Sequence, residues 1–286
     1  MKKNEKIESK LRYITRASFD SIADIYDESR TIPDLVIQKA LSFVHSKINL
    51  RENQVILDAG IGTGKICNPL SKYNVELIGI DISSNMLRKC QKKIKGIFDR
   101  KSGLIQGDIM SLPFKGSSFD IVILMHVFFF LKRWEEGIKE IKRILKPGGF
   151  LINMDYSTPP RESRIGKKYA ELHGKNRSIN NFISVSNRLM IDPIFPKIAK
   201  LIYRTRFNSI KKSAVSNNEF LIKWTQRLQA SQILGVFEKR PYVEYSDTPE
   251  KTQRKIMKEL KKWIDKESVG HSEEVKCDIE IRIFKF

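Results

Sequence analysis

The stretch Val55-Ile56-Leu57-Asp58-Ala59-Gly60-Ile61-Gly62-Thr63-Gly64 decides how the rest of the chain is read. Three apolar residues, an acid and a GxGxG bend, followed by a helix-compatible run, spell strand, turn and helix. The rhythm repeats downstream. Val75 to Ile80 reads as a strand ending in Asp81, Ser83 to Lys95 as a helix, and Leu104 to Gln106 as a strand leading into Gly107-Asp108. Phe119 to Leu124 is the next strand. Trp134 to Leu145 is a helix with Ile138, Ile141, Ile144 and Leu145 on one face, and Phe150 to Met154 is a fifth strand. Strands that are apolar throughout and alternate with helices predict an α/β fold, a mostly parallel sheet covered by helices on both faces.

A glycine bend between strand and helix lets a ligand come close to the backbone, because glycine accepts positive φ and carries no side chain. Three nucleotide chemistries compete for it. A phosphate-cradling loop needs GxxxxGK before Ser or Thr, but Ala59 stands where its first glycine belongs and Ile66 follows Lys65. A dinucleotide fingerprint needs GxGxxG, and here the third glycine arrives one residue early, with Lys65 in its place. S-adenosylmethionine has no phosphate and instead needs close backbone packing, with carboxylates for its ammonium and its hydroxyls. Asp58 is placed to organise the bend and receive the ammonium. Asp81, at the end of the second strand, can accept both ribose hydroxyls, although a nicotinamide cofactor wants the same acid. Asp108, at the end of the third strand, can take the adenine amino group. Three acids at three successive strand ends make one crevice.

At these residues the chain resembles the class I S-adenosylmethionine-dependent methyltransferases, in the branch that holds small-molecule methylases of the ubiquinone and menaquinone type. The resemblance rests on the first stretch quoted, on Gly79-Ile80-Asp81-Ile82-Ser83 with Met86, and on Gly107-Asp108-Ile109 with Leu112-Pro113-Phe114. Phe119-Asp120-Ile121-Val122 and Arg143-Ile144-Leu145-Lys146-Pro147-Gly148-Gly149 complete it. It spans roughly residues 19–155. It implies a Rossmann-like, seven-stranded, mostly parallel sheet with S-adenosyl-L-methionine as cofactor. Asp58, Ala59, Gly60, Gly62 and Gly64 would hold the methionine part and Asp81 the ribose. Ile82 and Met86 would face the adenine, Asp108 and Ile109 would meet its edge, and Met125 would add to the cofactor site at the end of the fourth strand. The stretch from Phe19-Asp20 to Tyr26-Asp27 resembles the family's leading helix, which can close over the cofactor, so Tyr26 and Arg30 join the candidates. Lys65 departs from the pattern.

Transfer of a sulfonium methyl requires alignment of the acceptor and exclusion of water rather than a nucleophile on the enzyme. A hydroxyl or carbon acceptor usually needs a base within hydrogen-bond reach. His126, just past the fourth strand, and Tyr156, after the fifth, are the candidates for base or acceptor contact. Methylases of exocyclic base amines typically carry Asp or Asn before Pro-Pro and an aromatic after the fourth strand. This chain has Leu124-Met125-His126-Val127 there, and no cysteine where a cytosine carbon methylase would place one.

The remaining chain divides around this core. Residues 1–50 read as a helical lead-in or lid, with a helix beginning at Pro33, and 51–155 as the cofactor-binding core. Residues 156–232 read as a basic helical insertion capping the substrate, and 233–286 as final strands and a helix completing the sheet. In that last part Ile233 to Phe237 and Tyr242 to Tyr245 are candidate strands. A helix follows from Thr248-Pro249-Glu250 to about Lys266, and Val275 to Phe286 alternates like a strand.

Net charge is +20, and residues 156–240, with 17 basic and 5 acidic residues, supply more than half of it. A field of that sign attracts phosphate, anionic lipid or acidic substrates. Within it Phe195, Ile198, Leu201 and Ile202 share one helical face with Lys197, Lys200 and Arg204 between them. Such a helix can lie on an anionic membrane, face RNA, or cap a pocket. The leading expectation is methylation of a small-molecule or lipid-like acceptor, followed by RNA methylation and by a catalytically silent cofactor-binding protein. No apolar run reaches the roughly 20 residues of a membrane helix, and the polar basic start marks nothing for export, so a cytoplasmic protein is expected. Cys67, Cys90 and Cys277 form no CxxC pair and read as reduced packing residues, with no metal site expected. The sequence says nothing about oligomeric state.

Overall fold

The computed structural model describes residues 19–20, 23–24, 26–29, 32–95, 103–128, 131, 133–156, 163–175, 195–238, 250–267 and 272–286. Its centre is a seven-stranded sheet in the order β3-β2-β1-β4-β5-β7-β6. The strands are β1 (Val55–Ala59), β2 (Glu76–Asp81), β3 (Gly103–Gln106), β4 (Phe119–Met125), β5 (Leu145–Tyr156), β6 (Ser216–Gln229) and β7 (Ser272–Lys285). The first five run parallel, and β7 is antiparallel to both β5 and β6. Chain order reverses between β1 and β4, where an open α/β sheet forms its crevice beyond the carboxyl ends of the strands.

Burial accounts for the apolar runs. Four of the five β1 residues are buried, as are five of the seven in β4, because helices cover both faces. One face packs Val36, Ile37, Leu41 and Val44 of α2 (Asp34–Ile48), Cys67 and Leu70 of α3 (Cys67–Ser71) and Leu87 and Cys90 of α4 (Ser84–Ile94) against the sheet. The short α1 (Tyr26–Ser29) precedes them. The other face receives Ile138, Ile141 and Ile144 of α5 (Trp134–Ile144). The α5 ends also suit its dipole, with Glu135 and Glu136 in the first turn and Lys142 and Arg143 in the last.

The family-like motifs outside the bend have structural roles. Asp120 accepts from the Val55 amide at 2.9 Å and from Lys146 Nζ at 2.8 Å, tying the start of β1 to the lead-in of β5. The Arg143 fork donates to the carbonyls of Phe114 and Leu112 at 2.7 and 3.0 Å and to Glu140, which itself accepts from the Leu112 amide. That clamp fixes the Leu112-Pro113-Phe114 loop.

Beyond Tyr156 the structure corrects the expected division. Helices α6 (Arg164–Lys175) and α7 (Phe195–Ser213) lie in the basic segment, but Ser216 to Gln229 are β6, the edge strand of the sheet, rather than part of a helical insertion. The alternation Phe220, Ile222, Trp224 was the available signal, since the partly buried Ile222 and Trp224 face the core that α2 covers. Conversely, Ile233 to Phe237 belong to a helix, α8 (Ala230–Glu238). A short run that is apolar throughout does not separate strand from helix. Burial of Ile233, Val236 and Phe237, spaced by three and one, shows the helical face. Tyr242 to Tyr245 lie outside the described residues.

The last pair between β5 and β7 is Tyr156 with Ile279, so Ser272 to Asp278 pair with β6 alone. This overhanging ribbon carries a separate apolar cluster. Ile165, Tyr169 and Leu172 of α6, Ile233 and Phe237 of α8, and Ile256 and Leu260 of α9 (Glu250–Lys266) pack there on Val275 and Cys277. Helix α8 also touches α1. In α7, Phe207 and Ile210 are buried against the sheet, while the side chains of 195–203 are not described. Among the described residues no helix is long and apolar enough to cross a membrane.

Candidate functional site

The GxGxG bend forms one wall of an open cleft. Gly60, Ile61, Gly62, Thr63, Lys65 and Ile66 line it together with Asp58, Tyr26, Asp27, Met125 and Tyr156. Gly60 has φ +85°, and a Cβ there would meet Val127 Cγ2 at 2.4 Å, so both conformation and space demand glycine. Gly64, at φ +78°, sits above two sulfurs, and a Cβ would meet Cys90 Sγ at 2.7 Å and Cys67 Sγ at 3.0 Å. Two cysteines distant in sequence thus meet under the bend. Both are buried free thiols.

Asp58 closes the end of β1 and is 2% exposed. Its Oδ1 is buried with no hydrogen-bond partner. Burial, with the charge of Asp81 added, pushes its carboxyl up to about 8. Asp81 is also buried, but its oxygens are engaged: Oδ2 accepts from the Gly62 amide at 2.8 Å and Oδ1 from the Ser83 amide at 2.9 Å. Burial raises this carboxyl, the Ser83 and Gly62 amides pull it down, and Asp20 raises it again. Each oxygen keeps a second lone pair for a ligand hydroxyl. Buried acid around an open cleft favours a ligand that carries positive charge.

The other predicted residues spread around this centre. Asp108 follows β3, linked to Asp81 through the Gly107 amide, which donates to the Asp81 carbonyl at 2.9 Å. Its Oδ1 accepts from the Met110 amide at 2.9 Å. Ile109 is buried in the core on the α5 side, and Ala59 is buried there too. Ile82 is half-buried, and its carbonyl accepts from Gln106 Nε2 at 3.1 Å. Met86 is 1% exposed and covered by Ala23, with Phe19 and Tyr26 packed against the pair. Met125 and Tyr156 reach the cleft directly. His126 does not line it. Its ring lies against the Tyr156 ring at 4.5 Å, and its backbone, at φ +57°, donates from the amide to the Met154 carbonyl at 2.7 Å. Arg30 lies outside the described residues.

Sequence reasoning missed Asp27, Ile61, Thr63, Lys65 and Ile66 as cleft residues. The last four occupy positions in and just after the bend that the glycine pattern leaves unspecified. Asp27 had a fainter signal, the spacing Asp20, Asp24, Asp27 opposite Lys89 and Lys93.

Residues 57–153 match the family model described as a methyltransferase domain. Over these residues the chain is similar to that family, and its strand order is Rossmann-like. Among relatives, the demethylmenaquinone methyltransferase of Staphylococcus saprophyticus is 31% identical over 145 residues, covering 49% of this chain and 61% of that protein. The sterol 4-C-methyltransferase of Caenorhabditis elegans is 30% identical over 125 residues, covering 42% of this chain and 37% of that one. The chain thus spans about three fifths or less of these two relatives. Among solved structures, the YcgJ protein of Bacillus subtilis superposes with a TM-score of 0.52 at 18% identity, over 86% of this chain and 97% of that one, a likeness of fold.

Proposed function

We propose that the cleft binds S-adenosylmethionine and that the protein transfers its methyl group to a small-molecule, lipid-like acceptor. The observation that carries this reading is the Asp58 carboxyl, buried at the foot of the bend with Oδ1 lacking a hydrogen-bond partner. A buried acid left unpaired is costly unless a ligand completes it, and the ammonium of an amino acid does so. The residues fit the cofactor beyond that point. The bare backbone at Gly62, where the space of a Cβ is open, allows close approach, Asp81 has capacity for hydroxyls, and Asp108 stands next along the strand ends.

When bound, the cofactor supplies a sulfonium methyl that is already activated. The chain's task is to orient and dehydrate. Asp58 and the bend hold the amino acid end, while Met125 and Tyr156 form the wall beside which an acceptor enters. The Tyr156 hydroxyl is the proposed acceptor contact, with His126 positioning its ring. Curated relatives named for a menaquinone precursor and a sterol support an apolar acceptor, as does the apolar character of Ile61, Ile66 and Met125 in the cleft. The basic segment 156–240 remains a proposed contact for an anionic surface, membrane or RNA.

The test supplies methyl-labelled S-adenosylmethionine and separate lipid, small-molecule and RNA fractions of a cell extract. Label entering the lipid or small-molecule fraction is expected. Label entering RNA alone, or binding of a nicotinamide or nucleoside triphosphate in place of S-adenosylmethionine, would overturn the reading.

A further inference from the structure

We propose that Asp27 is a positioning residue for the cofactor, latching itself and the neighbouring Asp20 and Asp24 onto α4 and onto the glycine bend at once. The inference rests on the reading that the cleft holds S-adenosylmethionine. Three acids, Asp20, Asp24 and Asp27, are spaced by four and three residues, and each meets α4. Asp20 Oδ1 accepts from Ser83 Oγ at 2.6 Å and from the Asn85 amide at 3.1 Å, and Asn85 Nδ2 returns a bond to the Asp20 carbonyl at 2.9 Å. These groups sit at the α4 amino end, where a carboxylate is favoured. One turn after another along α4, Lys89 pairs with Asp24 at 2.6 Å and Lys93 pairs with Asp27. The apolar contact of Ala23 with Met86 lies in the same seam.

Asp27 differs from the other two. Its Oδ2 holds Lys93, while its Oδ1 accepts from Thr63 Oγ1 at 2.6 Å. Thr63 is 1% exposed and stands between Gly62 and Gly64. One carboxylate therefore joins the helix and the bend, and it also lines the cleft beside Tyr26. Each lysine pair is partly exposed and weak alone, with side-chain exposures of 37% and 85% for Lys89 and Asp24 and 40% and 43% for Lys93 and Asp27. Such pairs are screened by salt. Closure held this way is firm enough to keep the ligand and loose enough to release it, and its strength falls with ionic strength.

The experiment follows dissociation of S-adenosylhomocysteine from the full chain by surface plasmon resonance at about 0.05 and about 0.5 M salt. Asp27→Asn is expected to raise the dissociation rate about tenfold at low salt and to flatten its salt dependence. Thr63→Val should raise the rate, Thr63→Ser should restore it, and Asp27→Asn combined with Thr63→Val should be less than multiplicative. Melting temperatures of the variants check that the fold is kept. A purely structural Asp27 would move stability without changing the salt slope. Rates of Asp27→Asn within about twofold of the parent, with the same salt slope, would overturn this inference alone. No binding by the parent would overturn the cofactor reading and this inference with it.

Discussion

Lowering the pH from 8 to 6 should weaken binding of S-adenosylhomocysteine, a stable ligand with the same amino acid end, by nearly two orders of magnitude. In the open cleft the Asp58 carboxyl is pushed up to about 8 by burial and by the charge of Asp81, so at neutral pH it carries a proton. An ammonium is held by the carboxylate form, so binding must expel that proton. The apparent dissociation constant then rises by about 2-fold at pH 8, about 10-fold at pH 7 and about 100-fold at pH 6 over its fully ionised value, about 1.4 kcal/mol per unit. Calorimetry in two buffers of different ionisation enthalpy measures the proton directly. Nearly one proton per ligand is expected at pH 6 and about half of one at pH 8. Linkage to folding carries the opposite sign to that of a salt-bridged acid. The folded-state value lies above the unfolded one of 3.8, so the group destabilises the fold increasingly as pH rises from there to about 8. Asp58→Asn should therefore bind ligand weakly at every pH yet unfold at higher temperature than the parent at pH 8, with little difference near pH 4. Affinity that stays flat from pH 6 to 8, without proton release, would refute the reasoning.

Three further perturbations have definite outcomes. Gly60→Ala forces a side chain at φ +85° against Val127, and should abolish ligand binding and cost about 1–3 kcal/mol in urea unfolding. Pairing it with Val127→Ala removes the clash and not the backbone strain, so stability should return only in part. Arg143→Ala releases the Leu112 and Phe114 carbonyls and should cost about 1–2 kcal/mol, discounted because the guanidinium is partly exposed. Arg143 holds the Glu140 carboxyl below its ordinary range, so that pair's share of stability is present above the ordinary glutamate value and lost as pH falls through the depressed one. Tyr156→Phe keeps the ring against His126 and removes only the hydroxyl of this cleft residue. Cofactor affinity should stay within about twofold while release of S-adenosylhomocysteine during turnover falls about tenfold or more.

The parallel half of the sheet was legible in the order of residues because its signals are local. A buried parallel strand must be apolar on both faces, a bend that approaches a ligand must be glycine, and an acid at a strand end stands where the crevice opens. Each of these constraints acts within a few residues, so the stretch from Val55 to Gly64, Asp81 and Asp108 declared themselves without a partner in view. The antiparallel end was less legible. Ser216 to Gln229 became a strand because β7 offered an edge to pair with, and Ile233 to Phe237 became a helix because the overhanging ribbon needed an apolar cover. Those outcomes depend on contacts made across some fifty residues of chain.

The same division runs through the site. Sequence alone determined that a glycine bend and three acids stand at the ends of successive strands, since residue type and spacing act locally. Only the tertiary structure decided that Asp58 stays buried and unpaired while Asp81 is already engaged, that Cys67 and Cys90 meet beneath Gly64, and that Asp27 bonds to Thr63. Burial and hydrogen-bond partnership are properties of neighbours in space, and residues 36 apart in the chain become neighbours only when the fold closes.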